Sequence, residues 1–471
     1  MARLAILAAL AIGPCLPNVA HAFGGLYVAG DGPPRLADAA EVVLMRDGTR
    51  TVLTVRPTYR GPAEPFALVL PVPQTVTERD IEVLARGALD ALDLGTAPRL
   101  VEYWERDPCE AVAAAAAGQG ETELGATVDS PLVAGEYQIA IVAPKDAAGL
   151  EAWLRREKYQ LPEGTEPLLQ AYLARGMKLV VAKVDPGRVA FEDGRAVLSA
   201  LRIRYESERF ELPIRLGLAN SDGTQDLIAW VLAPHQRYEA ANYPNVTIPT
   251  NLRVTADVRD RFGAFYAALL DATADRHPGA VITEYAGDAS AWRAGEELVV
   301  TRLHLRYDKS ITEDLELRPA PPIAGGRESL VASGALERGA HPAPHDAFGA
   351  RYTIRHPWRG PITCTTPVRG RWEARGRAQP APGLAVAPGA TVQLAHAVTE
   401  DVPELGLTLA DHGGVPPSSL PATGSPDEGS GCGCQTGGAS DSLWLGLVLV
   451  LVRRRRGPGT RQRGARRSSV R

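Results

Sequence analysis

The chain has 471 residues, 45% hydrophobic and 23% charged, which fits a folded globular protein and argues against a disordered one. Its formal net charge of −4 conceals an asymmetry: residues 23–434 carry 41 basic and 54 acidic side chains, whereas residues 453–471 carry nine arginines and no acid. A body this acidic argues against nucleic acid as a partner, because phosphate recognition needs clustered Lys and Arg.

Arg3, the apolar run Leu4–Ile12 and Ala20-His21-Ala22 read as a secretory signal, cut after Ala22 by signal peptidase. Its apolar run is too short to span a bilayer, which takes about 20 residues. Pro14 disfavours a lipoprotein cut before Cys15. The body holds Cys109 and Cys364. In an exported chain two such cysteines suggest one disulfide; two separate buried thiols are the alternative. The bond would close a loop of about 255 residues, for which the chain-entropy model gives roughly 5 kcal/mol as an upper figure.

The elements then follow in order. Glu41–Met45 and Thr49–Thr58 flank Asp47-Gly48 and read as a hairpin, and Phe66–Leu70 adds a strand that stops at Pro71. Thr77, with Asp80 three residues on, caps a predicted helix carrying Ile81, Leu84, Ala85, Ala88 and Leu92. Residues 97–105 read as a second helix and Ala111–Gly120 as a surface excursion. Tyr137–Val142 and Met177–Val184 are strands enclosing two helices, one capped by Asp146 and one by Thr165 with Gly176 at its stop. Residues 188–234 are β, with turns at Asp193-Gly194 and Asp222-Gly223. Asp260–Ala274 is a helix, and Ala280–Tyr285 and Glu297–Tyr307 are strands.

The expected class is α+β: a β-rich body of mixed and antiparallel sheets with inserted helices, a small β module and a C-terminal tether. After the signal at 1–22, the expected divisions are a main domain at 23–318, a Pro/Gly-rich connection at 319–350 and a packed module at 351–410. The module holds Trp358, Cys364, Trp372 and a strand at Thr391–Val398. A spacer at 411–434 precedes a hydrophobic, Arg-rich segment at 435–471.

Gly431-Cys-Gly-Cys434, apolar Leu443–Val452 and Arg453–Arg456 follow one another. Arginines after an apolar segment orient the preceding chain outward. This order resembles the myxobacterial MYXO-CTERM sorting signal. The resemblance implies processing by an intramembrane sorting protease near Cys432 or Cys434, and retention at the cell surface with a lipid on cysteine. The alternative is an ordinary C-terminal membrane anchor. A zinc site is disfavoured, since two thiolates cannot complete a four-ligand shell.

Motifs for catalysis are sparse. The chain lacks His-Glu-x-x-His, Gly-x-Ser-x-Gly, a Walker loop and a paired Cys-x-x-Cys. His341, His345 and Asp346 have ligand chemistry, but the prolines between them deny the helical spacing, so a polar linker is expected. Asn220–Asp226 looks like a calcium loop but lacks the closing glutamate. Asp308, Glu313, Asp314 and Glu316 read as a solvated acidic loop, and no metal or cofactor is expected. Two polar-aromatic segments are candidate binding surfaces: Tyr238, Asn242, Tyr243 and Asn245 as a groove, with support of the following segment the favoured reading, and Trp358 and Trp372 as a carbohydrate or polymer platform, with packing around the Cys364 disulfide favoured for Arg355–Arg359.

Several segments, in order, resemble the secreted proteobacterial family of domain of unknown function 2330. They include Val43–Leu53, Pro98–Glu105 with Asp107-Pro-Cys109, Gly176-Met-Lys178, Ser207–Pro213, Asn242–Asn251, Thr301-Arg-Leu-His304 and Arg355-His-Pro-Trp358. The resemblance implies one continuous exported domain with a surface or membrane tether, and it brings no activity. Members carry further cysteines near the start and after the tyrosine matching Tyr285; Gly24 and residues 286–294 here have none. The resemblance thereby favours pairing of Cys109 with Cys364. The expected function is a non-catalytic, surface-anchored envelope protein. The alternatives are an envelope hydrolase with an unfamiliar site and a carbohydrate or envelope-polymer binder.

Overall fold

A computed structural model describes residues 25–30, 36–60, 62–110, 135–142, 146–191, 195–221, 223–289, 297–326, 338–376, 378–381 and 392–408. The signal and its Ala22 cleavage site, the Ala111–Gly120 excursion, the spacer and the tail with Cys432 and Cys434 lie outside these residues. Among the described residues no helix is long and apolar enough to cross a membrane.

The fold is α+β and strand-rich. Its largest sheet runs in the order His341–Pro342, Ile323–Gly325, Ala347–Gly349, Val281–Asp288, Leu298–Tyr307, Gln225–Pro234, Leu36–Asp47, Arg50–Arg60, Leu201–Glu206, Ile81–Val83. Most pairings are antiparallel, but Gln225–Pro234 lies parallel to Leu36–Asp47. The Leu36–Arg60 hairpin turns at Gly48 and Thr49, and Gly48 takes a left-handed φ of 58° that glycine adopts without a Cβ clash.

Gln225–Pro234 is apolar almost throughout because both of its faces are covered. Leu227, Ala229 and Val231 join the core on one side, while Ile228, Trp230 and Leu232 join a second core on the other. Residues two apart share a face, so a continuous apolar run is what a doubly covered strand requires.

A four-stranded sheet, in the order Leu26–Ala29, Phe66–Val72, Lys178–Val184, Tyr137–Val142, packs Leu68, Leu70, Val180 and Ala182 into the first core. Its opposite face, with Val69, Leu179 and Val181, meets Leu150 and Leu154 of the helix Ala147–Arg156 and Leu169 and Tyr172 of Glu166–Ala174. Asp146 caps the first helix, accepting from Gly149 N at 2.7 Å. Thr165 holds the N-cap position of the second as expected, but its hydroxyl donates to Pro162 O at 2.6 Å instead of accepting from the helix.

A further sheet, in the order Leu252–Arg253, Arg351–His356, Arg99–Glu105, Trp372–Ala374, lies against the helix Phe262–Arg276. Phe262, Phe265, Tyr266, Leu269 and Leu270 pack there with Leu100, Tyr352 and Ile354. Fully burying side chains of this size stabilises the fold by about 1.5–3 kcal/mol each.

Four expectations fail. The Thr77–Asp80 box exists, with Asp80 accepting from Thr77 N at 2.8 Å, but it closes one 3-10 turn at Glu78–Asp80. Ile81–Val83 then extends along Leu201–Ile203, since β-branched residues at a sheet edge pair rather than coil; the helix itself is Asp90–Thr96. Arg99–Glu105 is a strand, because strands on either side offer hydrogen-bonding edges. The strand expected at Thr391–Val398 is a four-residue helical turn, Leu394–Ala397, which seats Ala397 against the Phe262–Arg276 helix. Asp314 is buried, not solvated: it accepts from Tyr172 Oη at 2.6 Å and from the amides of Ile214 and Arg215 at 3.0 and 3.2 Å.

Candidate functional site

The first segment nominated from sequence is a brace. Tyr238 is buried, its ring edge-on to Phe210 at 5.2 Å, and its amide donates to Thr301 Oγ1 at 3.1 Å. Asn242 donates to Asp314 O at 2.7 Å and accepts from Glu316 N at 3.0 Å. Tyr243 donates to Glu313 O at 2.6 Å, and burial pushes its phenol above the ordinary value. Asn245 closes a ring with Ala240, accepting from its amide and donating to its carbonyl, both at 2.9 Å. These side chains satisfy neighbouring backbone, the usual fate of polar groups at a covered strand end.

The second nominated pair lies where the chain is cross-linked. Cys109 and Cys364 form a disulfide with Cα atoms 5.4 Å apart. Beside it, the buried Glu105 carboxylate accepts from Trp358 N at 2.8 Å, Gly370 N at 2.9 Å and Arg369 Nη1 at 3.0 Å. Burial would raise this carboxyl, but the Gly370 and Trp358 amides and the Arg369 charge hold it below the ordinary value. One carboxylate thus fastens both ends of the loop 358–370. Each indole has a close neighbour: Arg355 lies 5.0 Å from the centre of the Trp372 ring, and Trp358 covers Gly360 so closely that a Cβ there would stand 2.5 Å from the ring. Nearby, Trp104 stacks on His356 at 4.5 Å, and His356 Nε2 contacts Glu102 at 2.6 Å.

His341 and Asp346 are not brought into a ligand set; Asp346 accepts from Ile323 N at 3.0 Å. Asn220 grips Tyr27, accepting from its amide at 2.7 Å and donating to its carbonyl at 3.0 Å. Among the described residues no group of three or more His, Cys, Asp or Glu could hold a metal.

The densest chemistry was not singled out from sequence. Arg302, His304 and Arg306 alternate along Leu298–Tyr307, so all three point from one face. On Val281–Asp288 a bulge between Thr283 and Tyr285 leaves Glu284 without a register partner. A bulge re-aims the inserted side chain, and Glu284 meets Arg302 Nε at 2.6 Å and His304 Nδ1 at 2.8 Å. Tyr266 also donates to it from the helix above. On the far side, His304 Nε2 stands 3.4 Å from Asp226, which Arg306 grips through Nε at 2.8 Å and Nη2 at 2.9 Å. Arg302 reaches Asp93 Oδ1 at 2.5 Å, and Thr96 Oγ1 accepts from Trp230 Nε1 at 2.8 Å.

Burial opposes every charge here, and pairing outweighs it. The Glu284 carboxyl would be raised by burial, but His304 and Arg302 hold it at about 2. The Asp226 carboxyl is likewise held well below the carboxylate range by His304 and Arg306. Burial would lower the His304 imidazolium, but Glu284 and Asp226 lift it to about 9. Glu284, Arg302, His304 and Asp226 are all at most 2% exposed. The set has acid–base chemistry but no opening for a substrate, and it clamps three strands and two helices together. Two surface depressions lie elsewhere, beside Gly223–Thr224 and beside Tyr137–Gln138.

Residues 18–318 match the model of a family described as "Uncharacterized protein conserved in bacteria (DUF2330)". No curated protein matches the chain. Among solved structures, that of baculovirus P35 aligns with 59% of this chain and 95% of its own at 7% identity and a TM-score of 0.25, a likeness too slight to carry an argument.

Proposed function

The chain belongs to the DUF2330 family, and from that footing we propose that it is a non-catalytic protein displayed on the bacterial envelope, exported by its N-terminal signal and held by its C-terminal one. The observation that carries this reading is the Cys109–Cys364 bond, because a disulfide persists in an oxidising compartment outside the cytosol. The sealed Glu284–His304–Asp226 set supports a structural rather than catalytic use of the strongest titratable cluster. Signal peptidase, an intramembrane sorting protease and the envelope membrane are the partners this route calls for.

Cell fractionation with mass spectrometry of the native termini tests the reading. A mature chain beginning at Phe23, ending near Cys432 or Cys434 and found in an envelope fraction is expected. A soluble cytoplasmic protein with its tail intact and Cys109 reduced overturns it.

A further inference from the structure

We propose that the loop 358–370 is a membrane-contact loop that seats in the headgroup region of an anionic lipid bilayer. The idea rests on the envelope location proposed above for its biological setting, but its physical basis is local.

Three large hydrophobic residues stand out as exposed among the described residues: Leu94, Ile362 and Val368. Two of them, Ile362 at 41% and Val368 at 48%, flank Cys364 in this one loop. Residues 357–372 carry three arginines, Arg359, Arg369 and Arg371, and no acid, although the body around them is strongly acidic. Arg369 is paired with Glu105 at the base, which leaves Arg359 and Arg371 as the excess charge of the loop. Apolar tips with arginines in the same loop suit the boundary between headgroups and acyl chains, where burial of apolar area and attraction to anionic lipid add together. The acidic body is repelled by the same surface, which orients the loop toward it.

The loop is held ready for contact. The disulfide, the Glu105 clamp and the bond from Val368 N to Pro108 O at 2.8 Å fix its base, so little ordering is left to binding. A polysaccharide fits less well. Sugar rings stack on bare aromatic faces, and here Arg355 takes one face of Trp372 and Trp358 is packed against Gly360.

The test uses the purified full chain with vesicles of phosphatidylglycerol and phosphatidylcholine, or of phosphatidylcholine alone. Hydrogen exchange is read at residues 361–369, so that binding through the C-terminal segment is scored separately. Slowed exchange at these amides with anionic vesicles only is expected. Arg359→Gln should weaken that protection about fivefold, since one basic residue near a bilayer is worth about that factor. Ile362→Asp with Val368→Asp should abolish it; both sites are exposed, and an unchanged melting curve confirms folding. Unaltered exchange in the loop while the tail becomes protected overturns the proposal, as does protection by dextran sulfate without protection by vesicles. Neither result bears on where the cell places the protein, which fractionation decides.

Discussion

Glu284 and His304 meet at 2.8 Å in a site sealed from solvent, brought together by a bulge that breaks the register of the strands carrying them. Removing one partner from such a pair leaves the other charged and buried, which costs about 3–5 kcal/mol. Glu284→Ala should therefore lower unfolding stability by that amount in a denaturant titration. Replacing Glu284 and His304 together by apolar residues should recover part of the loss. A single substitution that leaves the denaturation midpoint in place would falsify the clamp.

Stability should depend on pH with a definite sign. The folded-state value of His304 is raised to about 9, so its contribution is complete below its ordinary 6.5 and is lost as pH rises through 9. Glu284 is depressed to about 2, so its contribution is present above its ordinary 4.5 and is lost as pH falls through 2. A plateau in melting temperature between those ordinary values, with decline on the alkaline side, should appear in calorimetry. His304→Gln should flatten the alkaline decline.

Asp314→Ala should also destabilise by roughly 3–5 kcal/mol, because it strands the Tyr172 hydroxyl and the Ile214 and Arg215 amides in the interior. Glu313→Ala, in the same acidic run, leaves an exposed site and should shift stability by less than about 0.5 kcal/mol. Equal effects from the two would remove the distinction.

Reduction of Cys109–Cys364, or Ser at both positions, should cost about 2–5 kcal/mol. Unfolding with and without reductant measures it. The double-Ser protein should ignore the reductant, and a wild type equally indifferent to it would show that the bond adds nothing.

The legible parts of this sequence are local ones. The Gly48 hairpin, the Asp146 cap and the strand after Gly176 each depend on a few adjacent residues, and the chain announces them. Arg99–Glu105 misled because its spacing of Leu100, Val101, Tyr103 and Trp104 suits a helix face too. What decides for a strand is Arg351–His356, some 250 residues away. The charged cluster was hidden in the same way. Arg302–Arg306 alternates polar with apolar, a pattern that could have marked a second face needing partners. The partners Asp226, Glu284 and Asp93 lie on separate elements, and only the folded register unites them. The Tyr238–Asn245 segment, polar and aromatic, has the chemistry of a groove as well as of a brace; in the fold its polar atoms are turned onto neighbouring backbone, the bracing role the sequence favours.

The parallel pairing of Arg99–Glu105 with Arg351–His356 has a consequence for how the chain is made. A polypeptide synthesised N-terminus first delivers Leu100 and Tyr103 long before the strand that will cover them. Through that interval the early half carries an unfinished edge and must be kept from associating with its neighbours. Contacts so distant in sequence slow the search for the native state. A shield over that edge, until residues 351–356 arrive, is therefore a demand of this topology, and a chain cut short before them should accumulate as aggregate rather than as a shortened, folded fragment.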